Sequence, residues 1–170
     1  MRIVRLTPDY QFGPFDCGVP DLNDFLLTDA KEYAIHLLAV TYIIEANDDI
    51  AAFFSLSNDR ISLEESDKAT WRRIKKAFPH RKHRSDYPAV KIGRLGVEHR
   101  YRGLRLGTSI IDFVKKAFVT NNRTGCCFVT VDALPSALGF YERNGFHLLR
   151  KSDRKNAETI PMYFNLSRLT

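Results

Sequence analysis

Residues 91–118 read KIGRLGVEHRYRGLRLGTSIIDFVKKAF, and no other stretch limits the fold so tightly. An apolar strand pattern runs into a turn rich in arginine and glycine, and the turn opens an amphipathic helix. That order builds an anion cradle. Glycine lets backbone N–H groups face outward, and the first turn of a helix carries about half a positive charge. A pyrophosphate is the natural guest, with Arg102 and Arg105 available for charge-assisted bonds. The expected ligands are the amides of Arg102, Gly103, Leu104, Arg105, Leu106, Gly107 and Thr108, together with the Thr108 hydroxyl.

Residues 126–146 read CCFVTVDALPSALGFYERNGF. Cys126 to Val131 is a continuous apolar run of the kind found in a strand covered on both faces. Leu134 to Arg143 carries Ala137, Phe140 and Tyr141 at helical spacing, and Asn144-Gly145 is a helix stop. Phe146 to Leu149 resumes a strand. Upstream, Arg2 to Leu6 reads as a strand. Pro20 opens a helix to about Leu38, with Leu22, Phe25, Leu26, Tyr33 and Leu37 on one face. Ala39–Glu45 and Ile50–Leu56 read as strands joined by an Asn47-Asp48-Asp49 hairpin turn. A short helix is expected within Ser66–Phe78, an irregular stretch over Pro79–Pro88, a central strand over Val90–Glu98, a helix over Gly107–Val119 and a last strand over Met162–Leu166. The strand–helix–strand unit from Val90 to Val131 needs a right-handed crossover, which makes its two strands parallel.

Both chemistry-bearing stretches resemble motifs of the GNAT N-acetyltransferase superfamily. The loop is similar to that family's acetyl-CoA motif, Gln/Arg-x-x-Gly-x-Gly/Ala, which follows a Leu-x-Val-like tripeptide, here Leu95, Gly96 and Val97. Arg102 and Gly107 match. Arg105 stands where the middle glycine is usual, and if that position needs φ > 0 the substitution costs roughly 1–2 kcal/mol. The phrase ALGFYERNGF resembles the family's Ala-x-x-Phe-Tyr-x-x-x-Gly-Phe signature, in the family's order and at about its spacing. The resemblance implies an α/β fold: a mixed, mostly antiparallel sheet with one parallel strand pair at the cofactor site and helices on both faces. It implies one acetyl-CoA-dependent N-acetyltransferase domain over residues 1–170, moving acetyl from acetyl-CoA to a primary amine by direct attack on the thioester.

Acetyl transfer to an amine needs a neutral amine, donors for the oxyanion and a proton for the departing thiolate. The resemblance puts Tyr141 near the coenzyme sulfur as the acid, and a phenol is ready to donate at neutral pH. The alternative is that Tyr141 only packs beside Phe140. The backbone near Gly96 and Val97 supplies oxyanion donors; Leu134, Ser136 and Phe140 are expected along the pantetheine arm, and Arg143 and Arg100 toward the phosphates. No base stands out. Glu98 and Asp132 lie at strand ends, where a carboxylate more often caps a turn or stays on the surface. An α-amine, with a pKa of about 8, needs a base less than a lysine side chain near 10.4 does.

The segment FDCGVPDLNDFL, residues 15–26, is similar to the opening of GNATs that include toxins of bacterial toxin–antitoxin pairs, which acetylate the amine of aminoacyl-tRNA. That likeness adds three expected partners: aminoacyl-tRNA as acceptor, an antitoxin protein and a second copy in a homodimer. Residues 72–84 hold seven of the 26 Lys/Arg and no acid, and the remaining 19 basic residues face 20 acidic ones. Such a patch attracts polyanions such as RNA, or is a solvated loop. Acetylation of a peptide or small-molecule amine, and a non-catalytic RNA-binding module on the same fold, are the competing functions.

The length of 170 residues suits one domain. No apolar run reaches the ~20 residues of a membrane span, and the N-terminus lacks a signal-peptide pattern. The cysteines, Cys17, Cys126 and Cys127, are odd in number, so a reducing cytoplasm without disulfides is expected, and no Cys/His spacing suggests a metal.

Overall fold

Asn47 and Asp48 both take left-handed backbone angles, φ 52° and 63°. Two consecutive residues in that region make the tight turn that matches the twist of paired strands. They join β2 (Val40–Ala46) to β3 (Asp49–Ser62) in antiparallel register, Val40 opposite Leu56 and Ala46 opposite Asp49. A computed structural model describes residues 1–78, 84–120, 124–151 and 158–169. The other elements are β1 (Arg2–Arg5), α1 (Pro20–Asp24), a π-helical turn (Phe25–Asp29), α2 (Ala30–Ile35), α3 (Lys68–Lys76), β4 (Asp86–Val97), α4 (Leu106–Thr120), β5 (Phe128–Ala133), α5 (Leu138–Arg143), β6 (His147–Leu148) and β7 (Ile160–Asn165). Strand order is β1-β2-β3-β4-β5-β7-β6, with the β4–β5 pair parallel.

The chain divides into two compact units, Met1–Ser57 with Ile92–Phe113, and Asn58–Lys91 with Val114–Thr170. In the first unit, β1 pairs with β2 from Arg2–Glu45 to Arg5–Tyr42. Phe15, Cys17, Phe25, Leu26, Ala30, Ile43 and Phe53 form its core. Burying each phenylalanine, leucine or isoleucine side chain among them contributes roughly 1.5–3 kcal/mol.

In the second unit β5 pairs with β7, Phe128 opposite Asn165 and Ala133 opposite Ile160, and β6 adds to the far side of β7. Neighbouring residues of β7 point to opposite faces. Tyr163 joins Trp71 and Ile74 of α3, Tyr87 and Phe128 in one core. Phe164 lies instead under the Lys115 ammonium of α4, 4.0 Å from its ring centroid. Helices therefore cover both faces, as expected. Asp67 caps α3 by accepting the Thr70 amide at 2.7 Å.

Several expected boundaries move. The helix from Pro20 stops at Ile35, and Leu37 lies beyond it, 89 % exposed with φ 57°. The π-helical turn is the reason. It adds a residue to one turn, so Ala30 joins the stripe of Leu22, Phe25 and Leu26; Tyr33 still meets the Phe25 ring at 5.2 Å, and Leu37 falls outside. β3 runs to Ser62, well past Leu56, through the polar residues Ser57 to Arg60. β4 begins at Asp86, inside the stretch expected to be irregular. β5 begins at Phe128, so Cys126 and Cys127 precede it. Of the basic segment, Arg72, Arg73, Lys75 and Lys76 lie on α3, while His80, Arg81, Lys82 and His83 lie outside the described residues.

Candidate active site

The loop is built from β4 outward. Gly96 is buried, and a Cβ there would come within 2.7 Å of Phe53 and 3.3 Å of Phe15 and Cys17, so this strand position admits only glycine. Leu95 and Val97 on either side are half-buried. Glu98 follows, 7 % exposed, and accepts the Arg100 amide at 2.8 Å. It thereby caps a 3-10 turn, His99–Tyr101. The Arg100 guanidinium binds Glu98 at 3.2 Å and Asp49 at 3.1 Å. Both residues thus have structural work, Glu98 as the cap that a strand-end carboxylate commonly is.

The Arg102 amide donates to the His99 carbonyl at 3.2 Å, and its guanidinium to the Cys17 carbonyl. Neither group points freely outward. Beyond it, Gly103 (φ 82°) and Arg105 (φ 59°) are both left-handed. Among the described residues, the amides of Gly103, Leu104 and Arg105 make no backbone hydrogen bond. The Ser109 amide returns to the Arg105 carbonyl at 3.0 Å, which makes Arg105 the cap of α4. The amides of Leu106, Gly107 and Thr108 then belong to the first helical turn and have no partner within the helix. The cradle therefore runs over residues 103–108. Leu106 is buried; Leu104 is 60 % exposed.

In the second unit, Leu134 ends β5's exit and opens a 3-10 turn, Pro135–Ala137, that leads into α5. Leu134 and Ser136 are exposed. Tyr141 is buried among Phe140 and Phe146, with ring centroids 5.0 and 5.4 Å away in edge-to-face contact. Burial alone pushes its phenol up to about 12. Arg143 folds back along α5, its guanidinium 3.2 Å from where a Gly139 Cβ would stand. Gly145, φ 81°, closes α5. Asp132 meets Lys91 at 2.5 Å and is an ion-paired surface carboxylate.

The cysteines bear on the route of transfer. Burial raises the pKa of Cys17 and Cys127, and pushes Cys126 up to about 11. A thiol held protonated is a poor nucleophile, so none of the three is activated for an acetyl-cysteine intermediate.

These features define a class: a mixed-sheet α/β protein with a loop of unpaired backbone amides capping the helix that follows its central strand. A family model described as an acetyltransferase (GNAT) domain matches residues 80–165. The chain belongs to that family and is an acetyl-CoA-dependent N-acetyltransferase. Solved structures show the same fold over nearly its whole length. A bacterial toxin shares 17% identity at a TM-score of 0.76, over 99% of this chain and 92% of its own. AtaT complexed with acetyl-methionyl-tRNAfMet shares 21% identity at 0.73, over 99% and 96%. A tyrosine-to-phenylalanine mutant of the toxin AtaT, bound to the C-terminus of the antitoxin AtaR and to acetyl-CoA, shares 20% at 0.70, over 99% and 94%. No curated protein sequence matches.

Proposed function

We propose that this protein transfers acetyl from acetyl-CoA directly to the α-amine of an aminoacyl-tRNA, acting as the toxin of a toxin–antitoxin pair, with residues 1–170 as one catalytic domain. The observation that carries the chemistry is the loop at residues 103–108: left-handed Gly103 and Arg105 leave a row of unpaired amides that ends on the first turn of α4. These amides hold the pyrophosphate. Strand residues Leu95, Gly96 and Val97 lie along the thioester and pantetheine arm, with Leu134, Ser136 and Phe140, while Arg143 reaches toward the nucleotide. Tyr141 holds a proton on its hydroxyl and gives it to the departing thiolate. The neutral substrate amine attacks the thioester carbon, the tetrahedral intermediate gives its ammonium proton to water, and the C–S bond breaks as the thiolate takes the Tyr141 proton, which water then restores.

Support for this acceptor comes from the FDCGVPDLNDFL segment, from the fold shared with AtaT, and from Arg72, Arg73, Lys75 and Lys76 on α3, cations that suit a phosphate backbone. An α-amine, which needs a base less, also fits the engagement of both strand-end carboxylates, Glu98 and Asp132. No described helix is long and apolar enough to cross a membrane.

Transfer of labelled acetyl from acetyl-CoA tests the proposal, with aminoacyl-tRNA, deacylated tRNA, a peptide mixture and free small amines as acceptors. Label on aminoacyl-tRNA alone is the expected result. Label on peptides or small amines instead would replace the acceptor, and no label with any of them would overturn the proposal.

A further inference from the structure

The segment Asp16–Gly18 touches the cosubstrate loop from outside it. The Asp16 carboxylate accepts the Gly18 amide at 2.7 Å and the Asn23 amide group at 2.8 Å, and Asn23 Oδ1 accepts the Cys17 amide at 2.9 Å. These three bonds fix the segment against the start of α1. Its carbonyls then face the turn before the loop. The Asp16 carbonyl accepts the His99 amide at 3.0 Å, and the Cys17 carbonyl accepts the Arg102 guanidinium. Gly18, φ 73°, lies so close that a Cβ would stand 2.6 Å from the His99 ring and 3.0 Å from Arg102. Both ends of the 3-10 turn are therefore held by one short segment, and α4 holds the far side of the loop.

The loop needs such support. Two left-handed residues within three, one of them an arginine, form a conformation that persists only when its surroundings over-determine it. We infer that Asp16 and Asn23 are positioning residues for the pyrophosphate of acetyl-CoA: they brace segment 16–18, which through His99 and Arg102 fixes residues 103–105 in the shape that presents their amides. Arg102 acts here as a tether to Cys17, not as a free phosphate ligand. The assignment rests on the amides of residues 103–108 holding the pyrophosphate, as proposed above.

The test compares Asp16→Ala and Asn23→Ala with the wild-type protein on two donors, acetyl-CoA and S-acetylpantetheine, which lacks the pyrophosphate. With acetyl-CoA, KM should rise about tenfold, the equivalent of one hydrogen bond's worth of preorganisation, and kcat at saturation should hold. With S-acetylpantetheine kcat/KM should not change. Asp16→Asn keeps an oxygen for the Gly18 amide and serves if the alanine variant does not fold; it should show a smaller rise in KM with the same dependence on donor. Equal losses on both donors, a fall in kcat, or an unchanged KM for acetyl-CoA would overturn the brace while leaving the proposed function standing. A wild-type protein that uses neither donor would overturn both.

Discussion

Arg105 sits at φ 59° in the loop position where the related motif carries glycine. Its cost is intrinsic, because the left-handed region brings Cβ against the following carbonyl. Arg105→Gly should therefore raise stability by about 0.5–1 kcal/mol, the left-handed penalty less glycine's extra entropy in the unfolded chain. Urea denaturation would show it, and a loss of stability would mean that the side chain holds the loop. The departure at Arg105 is plain in the sequence, but its conformation is not, since φ follows from how residues on both sides are anchored. Tyr141 illustrates the same boundary. Its place in a tyrosine motif is legible, whereas the depth of its burial depends on how the chain turns at Gly145 to bring the Phe146 ring against it. Burial sets a testable pH signature. Tyr141 and Tyr10 are each pushed up to about 12, above the value near 10 of an exposed phenol. Both are neutral in either state below pH 10, so their contribution is fully present there and is lost as pH rises from about 10 through 12. Absorbance titration of the seven tyrosines should show a late-ionising group near pH 12, accompanied by alkaline loss of stability. A single transition near pH 10 for all seven would contradict the burial.

Elements differ in how much of their geometry is local. The Asn47-Asp48 hairpin and the Gly145 stop of α5 rest on residue types that favour those conformations, and each appears where the sequence places it. The helix after Pro20 does not, because a π-helical turn is a compromise with tertiary packing and has no residue signature. Its end is instructive. The Leu38 amide bonds to the Tyr33 carbonyl at 2.8 Å and the Leu37 amide to the Ala34 carbonyl at 3.2 Å, so Leu37 occupies the left-handed position that glycine usually takes at a helix end. With its side chain 89 % exposed, Leu37 gains little from packing. Leu37→Gly should stabilise the protein by about 0.5–1 kcal/mol. A lower melting temperature for that variant would show that the leucine packs on a surface outside the monomer. The length of β3 was hidden for another reason: the polar residues at 57–60 interrupt the apolar pattern that marks a strand.

At the scale of the molecule, the proposed chemistry names two groups: the amides of residues 103–108, in the first compact unit, and the buried Tyr141, in the second. Two motifs in the sequence pointed to these groups and to the fold that presents them, since each motif is a continuous stretch. The support that Asp16 and Asn23 give the loop is scattered along the chain, and only the folded first unit reveals it. Direct transfer also predicts a division of labour. In the proposed mechanism the cradle binds, and the phenol gives its own proton to the thiolate charge that appears only as the C–S bond breaks. Because that phenol stays protonated up to about pH 12, the rate should rise with deprotonation of the amine and should not fall again below pH 10. The most direct test is thiol release from acetyl-CoA by the wild-type protein and by Tyr141→Phe, each paired with a calorimetric dissociation constant for acetyl-CoA. The account predicts a fall in kcat of about a hundredfold or more with the dissociation constant nearly unchanged. An unchanged kcat, or a loss of cosubstrate binding equal to the loss of rate, would contradict it.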